Sequence, residues 1–439
     1  MSRSVPPSVS EITKLIKNLT ETQNPSPAII KKEAKKVQKE WDLIGELRNF
    51  NYLPSPRKNV INGSGILLHT NLGRAPLGQK VIERISATLS GYVDLEIDLQ
   101  TGERGERTHY LDELATSFIP HYKTAWVNNC AAAVLLALNT LKKATGLDRI
   151  IISRGELVEI GGGFRVPEIM EEAGLKLIEV GTTNKTRLSD YKDALKKNDA
   201  IIGKIHPSNF SMDGFTESVP VEELIPLASK FEVPLFFDAG TMTPEELRRL
   251  PDGVTCITMS TDKTLGATQG GLLLSPQKMQ KKIFKNPLYR ALRLDKISLT
   301  ALEVAFEALA EKKERRTLPL FEMLHTPLST LNERAQDILK LELKNFRIEA
   351  SPCNASLGGG AQFENISSLG LRLIPNENSR FGPIRIIEGL RQGTPIILAT
   401  VVQNYATINL LTVLPWQIES LKEALRNLDA RIAYESSAN

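Results

Sequence analysis

From residue 60 onward, short apolar runs alternate with stretches whose apolar positions recur every three or four residues. The runs at 125–127, 149–153, 175–180, 200–205, 233–238, 254–259 and 271–274 have the near-continuous hydrophobicity of strands buried on both faces. Between most of them lie helix-like segments such as 131–143 and 221–231. This alternation predicts an α/β fold with a mostly parallel central sheet covered by helices. A helix over 298–316 then bridges to a smaller α+β unit. There, strand-like 346–350, 369–374, 396–402 and 407–413 mix with helical 328–341, 381–391 and 416–428. The first 50 residues read as helices only, 10–19 and 28–50, split by Asn24-Pro-Ser-Pro27. Pro54-Ser-Pro56 marks a linker. The pattern thus divides the chain into a helical N-terminal domain (1–55), a large α/β domain (58–300) and a small C-terminal α+β domain (301–439).

Composition narrows the classes. Hydrophobic content of 41% and charged content of 24% over 439 residues describe a soluble globular chain with a large core. No apolar run approaches membrane-spanning length and the N-terminus lacks a signal-like core, so a cytoplasmic protein with no membrane partner is expected. Cys130, Cys256 and Cys353 are scattered, and the five histidines form no ligand cluster, so no metal is expected. Charge is uneven: residues 1–60 hold eleven Lys and Arg against six Asp and Glu, whereas the remainder holds 44 against 45. The surplus points to a polyanion partner or to a solvated helix face.

One segment carries the sharpest chemistry. The run ending at Met259 gives way to Ser260-Thr-Asp-Lys263 and then to Gly-rich backbone through Gly271. Burial at such a place lowers a lysine's pKa, and a neutral amine is what a Schiff-base nucleophile needs. Upstream, the run at 233–238 ends in the lone carboxylate of Asp238. A strand-end Asp followed by a strand-end Ser-x-x-Lys is the arrangement of a pyridoxal 5'-phosphate enzyme, with Asp238 on the pyridinium nitrogen and Lys263 bonded to the cofactor.

Further candidates follow from position. Asn129, Cys130 and Ala131 open an apolar helix after a strand, a seat for the cofactor phosphate, although Asn is also a common N-cap. Strand-end loops carry Thr182 and Thr183, the Ser153–Gly163 stretch, and His206 with Asn209; ligands of open α/β sheets bind at such ends. His206 either stacks near the cofactor or caps a turn. Arg74 lies in a turn-rich stretch. Arg290 and Arg293, if helical, share a face and clamp one oxyanion; the alternative is an ion pair with Asp295.

Four stretches carry a resemblance: Val60-Ile-Asn-Gly-Ser-Gly through Leu68-His-Thr-Asn-Leu-Gly-Arg-Ala-Pro-Leu77, Ser153-Arg-Gly-Glu-Leu-Val-Glu-Ile-Gly-Gly162, Glu179-Val-Gly-Thr-Thr-Asn184, and Asn286-Pro-Leu-Tyr-Arg-Ala-Leu-Arg-Leu-Asp-Lys296. In these the chain resembles the bacterial L-seryl-tRNA(Sec) selenium transferases, or selenocysteine synthases, fold-type I pyridoxal phosphate enzymes. The resemblance implies that Lys263 is the Schiff-base lysine, that Asp238 is its pyridinium partner, and that Arg74, Arg290 and Arg293 hold selenophosphate. Thr182 and Thr183 fall in the matching substrate loop, and the N-terminal extension looks like the family's tRNA-binding domain. The implied reaction replaces the β-hydroxyl of seryl-tRNA(Sec) by selenium, in a homo-oligomer built from dimers, a decamer by family analogy. Departures are Cys130 where the family usually has Asn, Thr261-Asp-Lys-Thr-Leu-Gly-Ala-Thr-Gln269 for Gly-Asp-Lys-Leu-Leu-Gly-Gly-Pro-Gln, and a shorter stretch between Asp238 and Lys263. Competing readings are a pyridoxal phosphate lyase or ammonia-lyase on a free amino acid or amino sugar phosphate, and a non-catalytic tRNA-binding relative. Neither the lyase nor its substrates would use a basic N-terminal domain.

Overall fold

The computed structural model describes residues 9, 10, 13, 14, 31, 34, 35 and 57–437, apart from 158, 162–163, 196–198, 208–211, 213, 312, 359–364 and 377–380. The chain divides into two compact units, Met1–Val60 and Ile61–Asn439. In the first, the described residues before 57 are helical, and Thr13 Oγ1 donates to the Val9 carbonyl at 2.6 Å. Most of the helices expected at 10–19 and 28–50, and the linker at 54–56, lie outside the described residues.

The second unit is built on seven strands: β1 (Lys123–Val127), β2 (Arg149–Ser153), β3 (Lys176–Val180), β4 (Ile201–Ile205), β5 (Leu235–Gly240), β6 (Cys256–Ser260) and β7 (Gly271–Ser275). Their order across the sheet is β1-β7-β6-β5-β4-β2-β3. All neighbours pair in parallel except β7, which runs antiparallel to both β1 and β6. Each sequence-predicted strand of this sheet is present, 149–153 with the same bounds and the others with ends that differ by one or two residues.

The two-residue period sends alternate side chains into two separate cores. Leu235, Phe237 and Ala239 of β5 join one core with Ile257 and Met259 of β6. Phe236 and Cys256 join the other, beneath the helix Cys130–Thr145 with its buried Ala133, Leu136 and Ala137. Asp238 and Thr258 are in register across β5 and β6, on the face of Phe236 and Cys256. The central strands are buried along their whole length, so apolar residues dominate both of their faces.

Past the sheet, helix Lys296–Ala310 starts where Asp295 accepts from the Ile297 and Ser298 N–H groups. It is shorter than the 298–316 expected. After Ala310 the sequence turns to the charged run Glu311-Lys-Lys-Glu-Arg-Arg, and a 3-10 turn follows at Arg315–Thr317. A four-stranded antiparallel sheet then forms from β8 (Phe346–Ala355), β9 (Ile366–Pro375), β10 (Thr400–Val402) and β11 (Tyr405–Asn409), in the order β8-β9-β11-β10. The single strand expected at 396–402 is two pieces. Ile396–Leu398 lies in a separate small sheet, and only Thr400–Val402 pairs with β11. Between β10 and β11, Gln403 and Asn404 both have positive φ (49° and 66°), the two-residue turn that matches strand twist. Beyond β11 the strand expected to reach 413 stops, because the Asn409 side chain accepts from Leu411 N–H and turns the chain into a 3-10 helix.

Candidate functional site

The site forms where β1, β5 and β6 end and the helix Cys130–Thr145 begins. Lys263 follows β6 in a loop that its own backbone fixes: Gly266 N–H donates to the Lys263 carbonyl at 2.9 Å and Ala267 N–H to the Thr261 carbonyl at 3.0 Å. Thr261 Oγ1 donates to the Thr268 carbonyl at 2.7 Å, closing the loop on the start of β7. Only 9% of Lys263 is exposed, and its ammonium has no hydrogen-bond or ion-pair partner among the described residues. Burial pulls its pKa below the usual lysine range, favouring the neutral amine.

Asp238 is equally buried, at 6% exposure. Its Oδ1 accepts from Thr258 Oγ1 at 2.9 Å, Gly240 N–H at 3.2 Å and Cys130 Sγ at 3.7 Å. Burial raises its pKa, with these donors and the nearby Lys263 pulling the other way. The Cys130 thiol is pushed well above its usual range, chiefly by burial and then by the Asp238 charge, so it is protonated.

Asn129 caps the helix by accepting from Ala132 N–H at 2.8 Å. Its side-chain oxygen is therefore engaged, and the first-turn N–H groups of Cys130 and Ala131 are those left without an intrahelical acceptor. Gly271 packs against this turn: a Cβ there would lie 2.1 Å from the Asn129 carbonyl oxygen.

Arg74, in the left-handed region at φ 65°, closes another wall. Its Nε lies 2.8 Å from Asp262 Oδ2, and its Nη1 is buried without a partner among the described residues. Arg74, Asn129, Cys130, Ala131, Asp238 and Lys263 line one cavity of about 690 Å³.

His206 sits beside this group rather than in its wall. Its N–H donates to the Asp238 carbonyl at 2.9 Å, its Nδ1 is buried without a partner, and burial lowers its pKa. Asn209 lies outside the described residues. Thr182 and Thr183 are exposed and do not line the cavity; Thr182 Oγ1 closes its own turn with Lys185.

The two C-terminal arginines are arranged differently from the helical clamp expected. Helix Pro287–Leu292 includes Arg290, but Arg293 is its C-cap with extended dihedrals (φ −63°, ψ 152°), so the two do not share a helix face. Asp295, the other partner considered for them, has its carboxylate committed to capping the next helix and pairs with neither. Arg293 instead lies 3.1 Å from Glu96 Oε1, a carboxylate also held by Arg104 and Arg107. Hydrogen bonds from Arg107 lead in keeping Glu96 below the usual carboxylate range. Arg290 is exposed and makes no ion pair among the described residues. Within one chain, Arg74 joins Lys263, and Arg290 and Arg293 do not.

Several participants escaped the sequence reading. Thr258 and Asp262 flank motifs already noted, but only tertiary contacts assign them to Asp238 and Arg74. Glu156, inside the Ser153–Gly162 string, is buried with Lys204: Lys204 Nζ is 2.5 Å from Oε1, and Ile205 N–H donates to Oε2 at 2.9 Å. This pair fastens the turn after β2 to the end of β4. Among the described residues, no cluster of three His, Cys, Asp or Glu could hold a metal ion, and no helix is long and apolar enough to cross a membrane.

These residues fit pyridoxal phosphate. A buried lysine without a partner, a buried carboxylate with one oxygen unclaimed, and a helix N-terminus meet around one cavity. Arg74 Nη1 and His206 Nδ1 are orphaned polar atoms at its margin.

Comparison with known proteins places this geometry. A model of the L-seryl-tRNA selenium transferase family matches residues 60–413. The chain is 36% identical to the L-seryl-tRNA(Sec) selenium transferase of Aquifex aeolicus (strain VF5) over 410 residues, covering 89% of each chain. It is 35% identical to that of Aliarcobacter butzleri (strain RM4018) over 434 residues, 95% of this chain and 93% of the other. Among solved structures, D-glucosaminate-6-phosphate ammonia-lyase superposes with a TM-score of 0.62 at 17% identity, over 86% of this chain and 97% of that one. That likeness concerns the fold: the α/β architecture with a mostly parallel sheet expected from the alternating pattern is the one observed, and fold-type I is what the resemblance implied.

Proposed function

Because the chain belongs to the L-seryl-tRNA selenium transferase family, we propose that it converts seryl-tRNA(Sec) to selenocysteinyl-tRNA(Sec), using pyridoxal 5'-phosphate and selenophosphate. The observation that carries this reading is the buried, unpaired amine of Lys263 sharing a cavity with Asp238 and the helix N-terminus.

When bound, the cofactor withdraws electrons from the seryl Cα. The rest falls to this chain's side chains. Lys263 would anchor the cofactor and, when its amine is free, would move the Cα proton; burial lowers its pKa and so favours the neutral amine that this role needs. Asp238, held through Oδ1, would face the cofactor's ring nitrogen, where a cationic N–H would offset the cost of burying the carboxylate. The Cys130 and Ala131 N–H groups, at the positive end of the helix dipole, would hold the cofactor phosphate. Arg74, kept in place by Asp262, offers its free Nη1 to the anionic selenium donor. Arg290, Arg293, Thr182 and Thr183 are assigned to substrate binding, and His206 and Asn209 to the cofactor's surroundings. Because the first two lie apart from Lys263 in one chain, their role requires a second copy to bring them in. The exposed apolar side chains of Tyr92, Val93, Ile97 and Leu99 support such a homo-oligomer. Its assignment to the cytoplasm is part of the same proposal.

The tRNA is assigned to residues 1–55, the segment that carries the basic surplus. The catalytic domain is assigned to 58–300 and the small domain to 301–439.

The decisive experiment supplies purified protein with pyridoxal phosphate, seryl-tRNA(Sec) and selenophosphate. Selenocysteinyl-tRNA should form, and borohydride should fix the cofactor on the Lys263 peptide. Fixation on another lysine, or no selenium transfer by cofactor-loaded protein, would overturn the proposal.

A further inference from the structure

Asp238 is gripped on one oxygen only. Three donors converge on Oδ1: the Thr258 hydroxyl from the adjacent strand, the Gly240 N–H from its own strand end, and the Cys130 thiol from the helix opposite. Among the described residues no donor reaches Oδ2. Two of the three belong to the sheet itself, where Asp238 and Thr258 are register partners. They fix the carboxylate relative to β5 and β6. Cys130 is different in kind, because it is the first residue of the helix whose N-terminus faces the cavity.

We propose that Cys130 is a positioning residue that ties Asp238 to the helix N-terminus, turning Oδ2 toward the cofactor ring while its own backbone N–H faces the cofactor phosphate. One residue then fixes the spacing between the two ends of the cofactor seat. The inference rests on the assignment of Asp238 to the ring nitrogen. A thiol suits the task only while protonated, since a thiolate would repel the carboxylate. Burial and the Asp238 charge hold it in that form. Its S–H is a weaker donor than the Thr258 O–H, so it aims the carboxylate rather than bearing the main charge.

The test compares Cys130→Ala, Cys130→Ser, Thr258→Val and Asp238→Asn in full-length protein. Two quantities are read: the dissociation constant of pyridoxal phosphate on reconstitution, and the pH midpoint of the bound cofactor's visible band. Cys130→Ala should weaken cofactor binding about three- to tenfold and move the midpoint, as expected for loss of one modest hydrogen bond. Cys130→Ser, which keeps a donor, should restore both toward wild type, whereas a role in packing alone would not be rescued in the midpoint. Thr258→Val should move both further. If Cys130→Ala does not fold, the Ser variant decides: a wild-type midpoint and affinity support the proposal, and folded Ser protein that binds the cofactor several-fold more weakly with a shifted midpoint overturns it. Unchanged binding and midpoint in Cys130→Ala, with both altered in Asp238→Asn, would overturn the role of Cys130 and leave Asp238 in place. Unchanged values in Asp238→Asn would remove the underlying assignment as well.

Discussion

Arg74 reaches Asp262 with its Nε at 2.8 Å, which couples the turn after residue 70 to the residue immediately before Lys263. The pair is only partly exposed, with side-chain accessibilities of 21% and 19%. One arginine nitrogen is thereby spent on orientation, and Nη1 is left for a ligand.

Replacing Arg74 by Ala should raise the KM for selenophosphate about ten- to a hundredfold, the usual effect of losing a charged hydrogen bond of roughly 1.5–3 kcal/mol. The visible spectrum of the bound cofactor should not change. Asp262→Asn should show a smaller KM effect, because it disturbs only the aim of the guanidinium. Steady-state kinetics against a donor series measures both.

The buried charge of Lys263 has a pH signature in the cofactor-free protein. Its folded pKa lies below the ordinary 10.5, so between that lowered value and 10.5 the unfolded chain binds a proton that the folded chain does not. Stability from this group therefore rises with pH across the window and is lost as pH falls through it. Apo Lys263→Met should be the more stable protein below the window, and its advantage should shrink as pH approaches 10.5. Denaturant titrations at several pH values check the slope; a gap constant with pH would contradict it.

Glu156 and Lys204 should show strong non-additivity. Glu156→Gln or Lys204→Met alone leaves one buried ion without its partner and should cost about 3–5 kcal/mol. The double replacement should cost much less than the sum, as a double-mutant cycle by chemical denaturation would reveal.

Gly271→Ala should damage the cofactor seat without touching any reactive group. Its Cβ would meet the Asn129 carbonyl oxygen at 2.1 Å, which is backbone and cannot swing away. A destabilisation of about 1–3 kcal/mol, typical of overpacking, should accompany weaker retention of pyridoxal phosphate. Thermal melts with and without cofactor separate the two effects.

For the basic N-terminal segment, affinity for seryl-tRNA(Sec) should fall steeply as salt rises, because each phosphate neutralised by a lysine releases counterions. Neutralising Lys31, Lys32, Lys35 and Lys36 together should flatten that slope while cofactor binding stays unchanged. A filter-binding series across salt concentrations would test it.

What the sequence determined on its own is what depends on short-range pattern. Continuous apolar runs between helical spacings specified all seven strands of the main sheet, since strands covered on both faces cannot hide their hydrophobicity. Lys263 and Asp238 were legible because a charge at the end of such a run is costly unless it has work to do. Tertiary structure decided which oxygen is held, which arginine is near and where strands break. Thr258 meets Asp238 through sheet register, Cys130 meets it across a helix–sheet packing, and Asp262 finds Arg74 far back in the chain. The shared face considered for Arg290 and Arg293 was likewise decided by tertiary contacts: Arg293 leaves the helix in an extended conformation, bridges Val127 and meets Glu96, far away in sequence. Local spacing fixes neighbours along an element, but the partner of a charged side chain is set by where the chain returns, and one linear pattern of residues does not encode that distance.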